Sequence, residues 1–241
     1  RNVADIAGAM DAFVQGQPQL GTTTGSASAD DAPPKVCFVF GGQGPQWYAM
    51  GRELYFSQPV FKAEIDKIDS ELSKFTKPDW SLVSELISKN EDDSSISETH
   101  IAQPAIFAVQ TALSALWRSW GIVPDVCVGH SVGEVAAAYY AGALSFEDAI
   151  STIYHRSRLQ HQVAKVAKGK MAAVMVTEEG AREAISGLED LVAIAAVNSP
   201  QSVTLSGDHK TVSLIVENLQ RKNVHTTYLR TEGAFHSYHM D

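Results

Sequence analysis

The 241-residue chain holds only two cysteines, Cys37 and Cys127, so no disulfide framework carries its stability. Both lie inside apolar runs that read as buried strands, and the expectation is two packed core thiols in a reducing, cytoplasmic compartment. Basic charge is also scarce: 19 Lys and Arg stand against 28 Asp and Glu, a formal net charge of -9. That balance argues against a nonspecific binder of nucleic acid or of an anionic membrane, either of which needs clustered cations. No uninterrupted apolar stretch reaches the roughly 18 residues that a membrane span requires. The first residues, "RNVAD", do not make a basic segment followed by an apolar one, so neither anchor nor export signal is expected. What is abundant is core material: 44% of the residues are hydrophobic, enough for one large domain, alone or with a smaller companion.

Residues 3–14, "VADIAGAMDAFV", are patterned as a short amphipathic helix, and residues 21–34, "GTTTGSASADDAPP", form a small-residue tether. Residues 1–34 therefore read as an interdomain linker carrying a helix. The folded part starts near Lys35 with "VCFVF", a short continuous apolar run suited to a buried parallel strand, which runs into the loop "GGQGPQ". Helices are predicted over about 47–56, 58–74 and 80–88, followed by a charged, serine-rich surface loop, "SKNEDDSSISETH". Pro104 is placed in a first helical turn, with Ile106, Val109, Leu113 and Leu116 along one stripe. A buried strand over 126–128 and helices from Gly133 and from about residue 145 complete an α/β pattern, which implies a parallel sheet with helices on its faces. After Gly169 the order becomes βαββαβ, the ferredoxin-like split pattern. The expected division is a large α/β-hydrolase-like subdomain over 35–168, a small subdomain over 169–235, and a return toward the large one from 236.

The stretch Gly129-His130-Ser131-Val132-Gly133 fits G-x-S-x-G, with a predicted strand before it and a helix after it. In such an elbow the serine takes a strained backbone that lifts its hydroxyl clear of the sheet, and the flanking glycines avoid collision with a neighbouring strand or helix. The N–H of Val132 and the helix N-terminus then face the carbonyl under attack. A second oxyanion donor is expected from the glycine loop at 41–46. That loop lacks the lysine and the spacing of a phosphate loop.

Ser131 needs a base, and His100, His130, His155, His161, His209, His225, His236 and His239 compete. His130 is adjacent but on an elbow points away, as a pocket wall. His155 and His161 lie in a polar helix, where the expectation is exposure to solvent. His236 follows the last strand of the small unit, where the returning chain reaches the cleft, and is favoured modestly over His225 and His239. Asp190 and Asp208 stand in chain order for a Ser-Asp-His triad, yet both read as turn residues.

Six motifs together carry a resemblance: "FVFGGQGPQWYAMGREL", "THIAQPAIFAVQTALSALWRSWG", "VGHSVGEVAAAYYAGALSFEDAI", "HRSRL", "AAVNSPQSVTLSG" and "GAFHS". In this order and spacing the chain resembles the acyltransferase domain of type I polyketide synthases and animal-type fatty acid synthases, and more distantly the malonyl-CoA:acyl carrier protein transacylases. The resemblance implies a Ser131–His236 dyad whose imidazole is oriented by a backbone carbonyl, with Gln43 and Val132 as oxyanion donors. It implies that Arg156 grips the free carboxylate of an extender unit, that Gln103, His130 and Asn198 are pocket positions, and that Phe235 favours malonyl over branched units. Gly233 departs from the tyrosine or histidine common there.

No tightly bound cofactor or metal is implied. Malonyl-CoA is the expected donor and the phosphopantetheine thiol of an acyl carrier protein the acceptor. That carrier protein and a neighbouring ketosynthase domain are the expected partners. Because such domains continue past this histidine, the expectation is a piece of a larger synthase. Two rival readings share the same residues: a serine hydrolase with the same elbow, and an inactive fragment that docks a carrier protein.

Overall fold

The computed structural model describes residues 3–17, 22, 23, 25, 34–76, 79–88 and 90–241. The chain divides into two compact units, residues 1–35 and 36–241. Within the first, α1 (Val3–Val14) carries Val3, Ile6, Met10 and Phe13 at helical spacing, and all four are exposed. Most of the tether at 21–34 lies outside the described residues.

The second unit has two hydrophobic cores. The larger gathers around a two-stranded parallel sheet, β1 (Cys37–Phe40) and β2 (Val126–Gly129), in register from Cys37 against Val126 to Phe40 against Gly129. The helices α2 (Arg52–Ser57), α3 (Pro59–Thr76), α4 (Thr99–Ser119), α5 (Gly133–Tyr140) and α6 (Phe146–Val166) surround it. On α3 the apolar residues Phe61, Ile65, Ile68 and Leu72 recur at the period of one helix face, and all four are buried. Ser145 accepts the N–H of Asp148 at 3.0 Å and caps α6, whose first turn holds Glu147 and Asp148 beside the positive helix end.

The smaller core lies under a four-stranded antiparallel sheet of β3 (Gly169–Val174), β4 (Val192–Ser199), β5 (Ser202–Asp208) and β6 (Thr226–Tyr228), ordered β4-β5-β3-β6. The helices α7 (Glu178–Ala184) and α8 (His209–Arg221) pack on it through Ala181 and through Val212, Ile215, Val216 and Leu219. This strand order is that of a ferredoxin-like βαββαβ unit, so the α/β class with one parallel and one antiparallel sheet is as expected.

Three local expectations are corrected. The runs read as fully buried strands are covered on one face only: Phe38, Phe40 and Cys127 turn toward the core, while Val39 is 72% exposed, Val126 53% and Val128 49%. Cys37 shares the uncovered face and is exposed rather than packed. A run of apolar residues reads alike whether helices cover one face of a sheet or both. Pro104 is not in a first turn, because α4 starts earlier, at Thr99, and the proline sits in its interior. The helices expected over 47–56 and 80–88 are shorter: the first is confined to α2, and the second is a wide turn over Ser84–Ser88.

Candidate active site

β2 ends in Gly129 and α5 begins at Gly133, so the chain must reverse within three residues. It does so by holding Ser131 in the left-handed region, with φ 53°. That strain is tolerable only because its neighbours are small. A Cβ on Gly129 would lie 2.3 Å from Cα of Glu134, and one on Gly133 would lie 2.1 Å from the carbonyl oxygen of Phe40. The helix entry is closed by bonds from Gly133 N–H to the His130 carbonyl at 3.0 Å and from Glu134 N–H to the Ser131 carbonyl at 3.1 Å. Among the described residues, no acceptor takes the backbone N–H of Val132 or of Gln43. Both donors therefore remain free for a ligand oxygen.

Facing the elbow, the segment after β6 crosses back over the antiparallel sheet. Ser206 on β5 donates its hydroxyl to the Phe235 carbonyl at 2.6 Å, and Ser237 donates to the Ala234 carbonyl at 2.6 Å. These bonds fix a turn in which His236 also has a left-handed backbone, φ 58°. Its Nε2 lies 2.8 Å from Ser131 Oγ. Desolvation first, then the charges of Arg156 and His130, holds the imidazole below its ordinary pKa, in the neutral form that accepts a proton. Asp208 instead caps α8 by accepting the Thr211 N–H at 2.9 Å, and Asp190 lies in the turn before β4. Neither lines the cleft, so the arrangement holds a serine and a histidine without either of those carboxylates.

The cleft between the two cores has a volume of about 290 Å³. Gly42, Gln43, Gln103, Ser131 and Arg156 line it from the larger core, and Met171, Ala196, Thr204 and Leu229 line it from the sheet side. Arg156 extends from α6 across its floor. One guanidinium nitrogen donates to Gln103 Oε1 at 2.5 Å and to Gln160 Oε1 at 3.2 Å, while the other reaches Ser131 Oγ at 3.4 Å. Gln103 is 1% exposed and donates through Nε2 to Gln43 and Gln160, at 3.1 and 2.8 Å, so the amides hold one another in place. Every hydrogen-bond partner described for Arg156 is neutral. Burial lowers the pKa of its guanidinium, which means that the cation is poorly solvated where it stands. A desolvated cation held by amide oxygens next to a nucleophile has the chemistry to bind a carboxylate.

The model of the acyl transferase domain family matches residues 37–241. The chain belongs to the acyl transferase domain family. It is 42% identical over 217 residues to the hybrid PKS-NRPS synthetase pyvA of Aspergillus violaceofuscus, an alignment that covers 87% of this chain and 6% of that protein. Among solved structures, the acyltransferase domain from the second module of the salinomycin polyketide synthase superposes with a TM-score of 0.87 at 34% identity, covering 100% of this chain and 54% of that one. The malonyl-CoA:ACP transacylase of Synechocystis sp. superposes with a TM-score of 0.71 at 30% identity, covering 86% of this chain and 66% of that one. The chain thus spans a small part of the curated relative and about half of the first of these structures.

Within this acyl transferase domain, His130 and Phe235 are among the residues that line the cleft, and Asn198 is not. The ladder between β4 and β5 shifts register between Ile194 and Ala196, which brings the consecutive Ala195 and Ala196 to the cleft wall. Asn198 is left exposed, donating to Thr204 Oγ1 at 2.9 Å, so it touches the cleft only through that threonine. Gln160 was missed by sequence reasoning, although it sits one helical turn beyond Arg156, the spacing at which two helix side chains meet. His161 was expected in solvent. It is buried, and its Nδ1 lies 2.9 Å from a carboxylate oxygen of Glu232.

Proposed function

We propose that this domain moves a malonyl-type acyl group from coenzyme A to the phosphopantetheine thiol of an acyl carrier protein, through an ester on Ser131. One observation carries the reading: the hydroxyl of Ser131 lies 2.8 Å from a histidine nitrogen and 3.4 Å from a guanidinium nitrogen, within a single cleft. In the first half-reaction Ser131 Oγ attacks the thioester carbonyl while its proton passes to His236 Nε2. The oxyanion rests on the N–H groups of Val132 and Gln43. The C–S bond then breaks, the imidazolium returns its proton to the departing sulfur, and free coenzyme A leaves an acyl-serine. In the second half-reaction the carrier's thiol gives its proton to His236 and attacks the ester, and Ser131 recovers its hydroxyl as the thioester forms.

Arg156 binds the distal carboxylate by two parallel hydrogen bonds and fixes the ester where the incoming sulfur arrives. Phe235, buried at the cleft wall, would crowd an α-methyl branch on the extender unit. The carrier protein is the partner this reaction calls for, and an adjoining ketosynthase domain is the proposed neighbour in the synthase. Among the described residues no helix is long and apolar enough to cross a membrane, which is compatible with a cytoplasmic synthase.

Intact-mass spectrometry after mixing the protein with malonyl-CoA tests the proposal. The expected result is one malonyl adduct per chain, absent in Ser131→Ala and transferred when a carrier protein is added. Arg156→Ala is expected to lower malonyl loading about 100-fold, the scale of losing a charge-assisted bidentate contact. Release of malonate without transfer to the carrier would instead identify a hydrolase, and no adduct would overturn the reading.

A further inference from the structure

A second group of titratable side chains lies outside the cleft. Glu98, immediately before α4, and His100, in its first turn, meet His161 from α6, with one ligand atom from each residue lying within 4.8 Å of the others. The His100 Nδ1 to Glu98 Oε2 distance is 3.7 Å, and His161 Nε2 lies 3.9 Å from the same oxygen. Both gaps are too long for hydrogen bonds. They approach the roughly 3.4 Å that separates ligand atoms around a tetrahedral zinc with bonds of about 2.0–2.2 Å. His100 Nδ1 is buried and has no hydrogen-bond partner among the described residues. The carboxylate of Glu98 makes no cap bond to α4 and reaches the two imidazoles only at ion-pair distance.

His161 shows how it is oriented. Its Nδ1 faces Glu232 Oε2 at 2.9 Å, and the same oxygen accepts the Thr99 N–H at 2.7 Å. That oxygen already accepts from a backbone N–H, so Glu232 meets His161 Nδ1 as an acceptor. The proton of a neutral His161 ring therefore sits on Nδ1, and the lone pair on Nε2 points toward Glu98 and His100. A carboxylate that fixes the far nitrogen of an imidazole is the outer support found behind histidine ligands of metals. Lys165, one turn along α6 from His161, adds a positive charge that any cation must overcome. The two partly exposed side chains, Glu98 and His100, leave a solvent path for entry and for a water ligand.

We propose that Glu98 Oε2, His100 Nδ1 and His161 Nε2 form a site for a divalent transition metal of the zinc class, with Glu232 as the outer support of His161 and water completing the coordination. The metal would tie the start of α4 to α6 and, through Glu232, to the turn that carries His236. The site is separate from acyl transfer, and its test does not need turnover.

The full chain, stripped with a chelator and dialysed, is titrated with zinc against a chromophoric competitor and with cobalt under visible absorption. The expected result is one ion per chain, a cobalt spectrum of mixed nitrogen and oxygen ligation, and a thermal midpoint that rises with zinc and falls back with EDTA. Glu98→Gln and His100→Asn, both at partly exposed positions, are each expected to weaken binding at least tenfold. Glu232→Gln is expected to weaken it about 10–100-fold. His161→Ala removes a buried ring and is read only where circular dichroism shows a folded chain. No saturable binding by the wild type, or equal affinity in the Glu98→Gln/His100→Asn double variant, would overturn the proposal.

Discussion

At the scale of the residue, the neighbourhood of His236 sets its protonation. With its pKa below the ordinary 6.5, the imidazole stays neutral through neutral pH, and loading of Ser131 declines only as acid takes the ring through that lowered value. The acid limb of the loading rate is therefore expected to have its midpoint below 6.5. Arg156 contributes to the lowering by like-charge repulsion, so Arg156→Ala should move the His236 midpoint up, though not fully back, since desolvation is the larger cause. Proton NMR of the ring during a pH titration reads this shift without any substrate. Phe235 supports a second prediction. Phe235→Ser opens space beside the ester, and competition between methylmalonyl-CoA and malonyl-CoA, scored by adduct mass, should shift about tenfold or more toward the branched unit, since one methyl group in a pocket is worth about 1–3 kcal/mol.

At the scale of the element, short caps hold the small sheet's helices in place. Asp208 accepts from both the N–H and the hydroxyl of Thr211, at 2.9 and 2.8 Å. Asp208→Ala is expected to cost about 1 kcal/mol in urea unfolding. Those same bonds to Thr211 lower the Asp208 pKa, so its contribution is present above the unfolded carboxylate value and is lost as pH falls through the lowered one. The wild-type advantage over Asp208→Ala should shrink in acid.

Elements of this kind were legible in the sequence. The βαββαβ order followed from alternating short apolar runs and periodic helices, and the elbow from two glycines around a serine between a strand and a helix. Three features were not legible. A continuous apolar run does not reveal how many faces are covered, which hid the exposure of Cys37 and Val39. A register shift in β4 redirected Asn198. The burial of His161 depends on Glu232, 71 residues away, and on the path of the return segment, which no local pattern encodes.

At the scale of the whole molecule, the parallel sheet presents a contiguous apolar strip made of Val39, Val126 and Val128. Patches of this kind favour association. Val39→Lys is expected to leave unfolding stability within about 0.5 kcal/mol, as for other surface changes. The same change should reduce light scattering at high protein concentration.

The serine rides on one hydrophobic core and the histidine is pinned to the sheet above the other. Their contact is therefore a sensor of how the two lobes sit, as well as a chemical bond in waiting. A substitution far from the cleft that merely lets the lobes rock apart would silence proton transfer while each core stays fully packed, so loss of turnover should precede any loss of melting temperature.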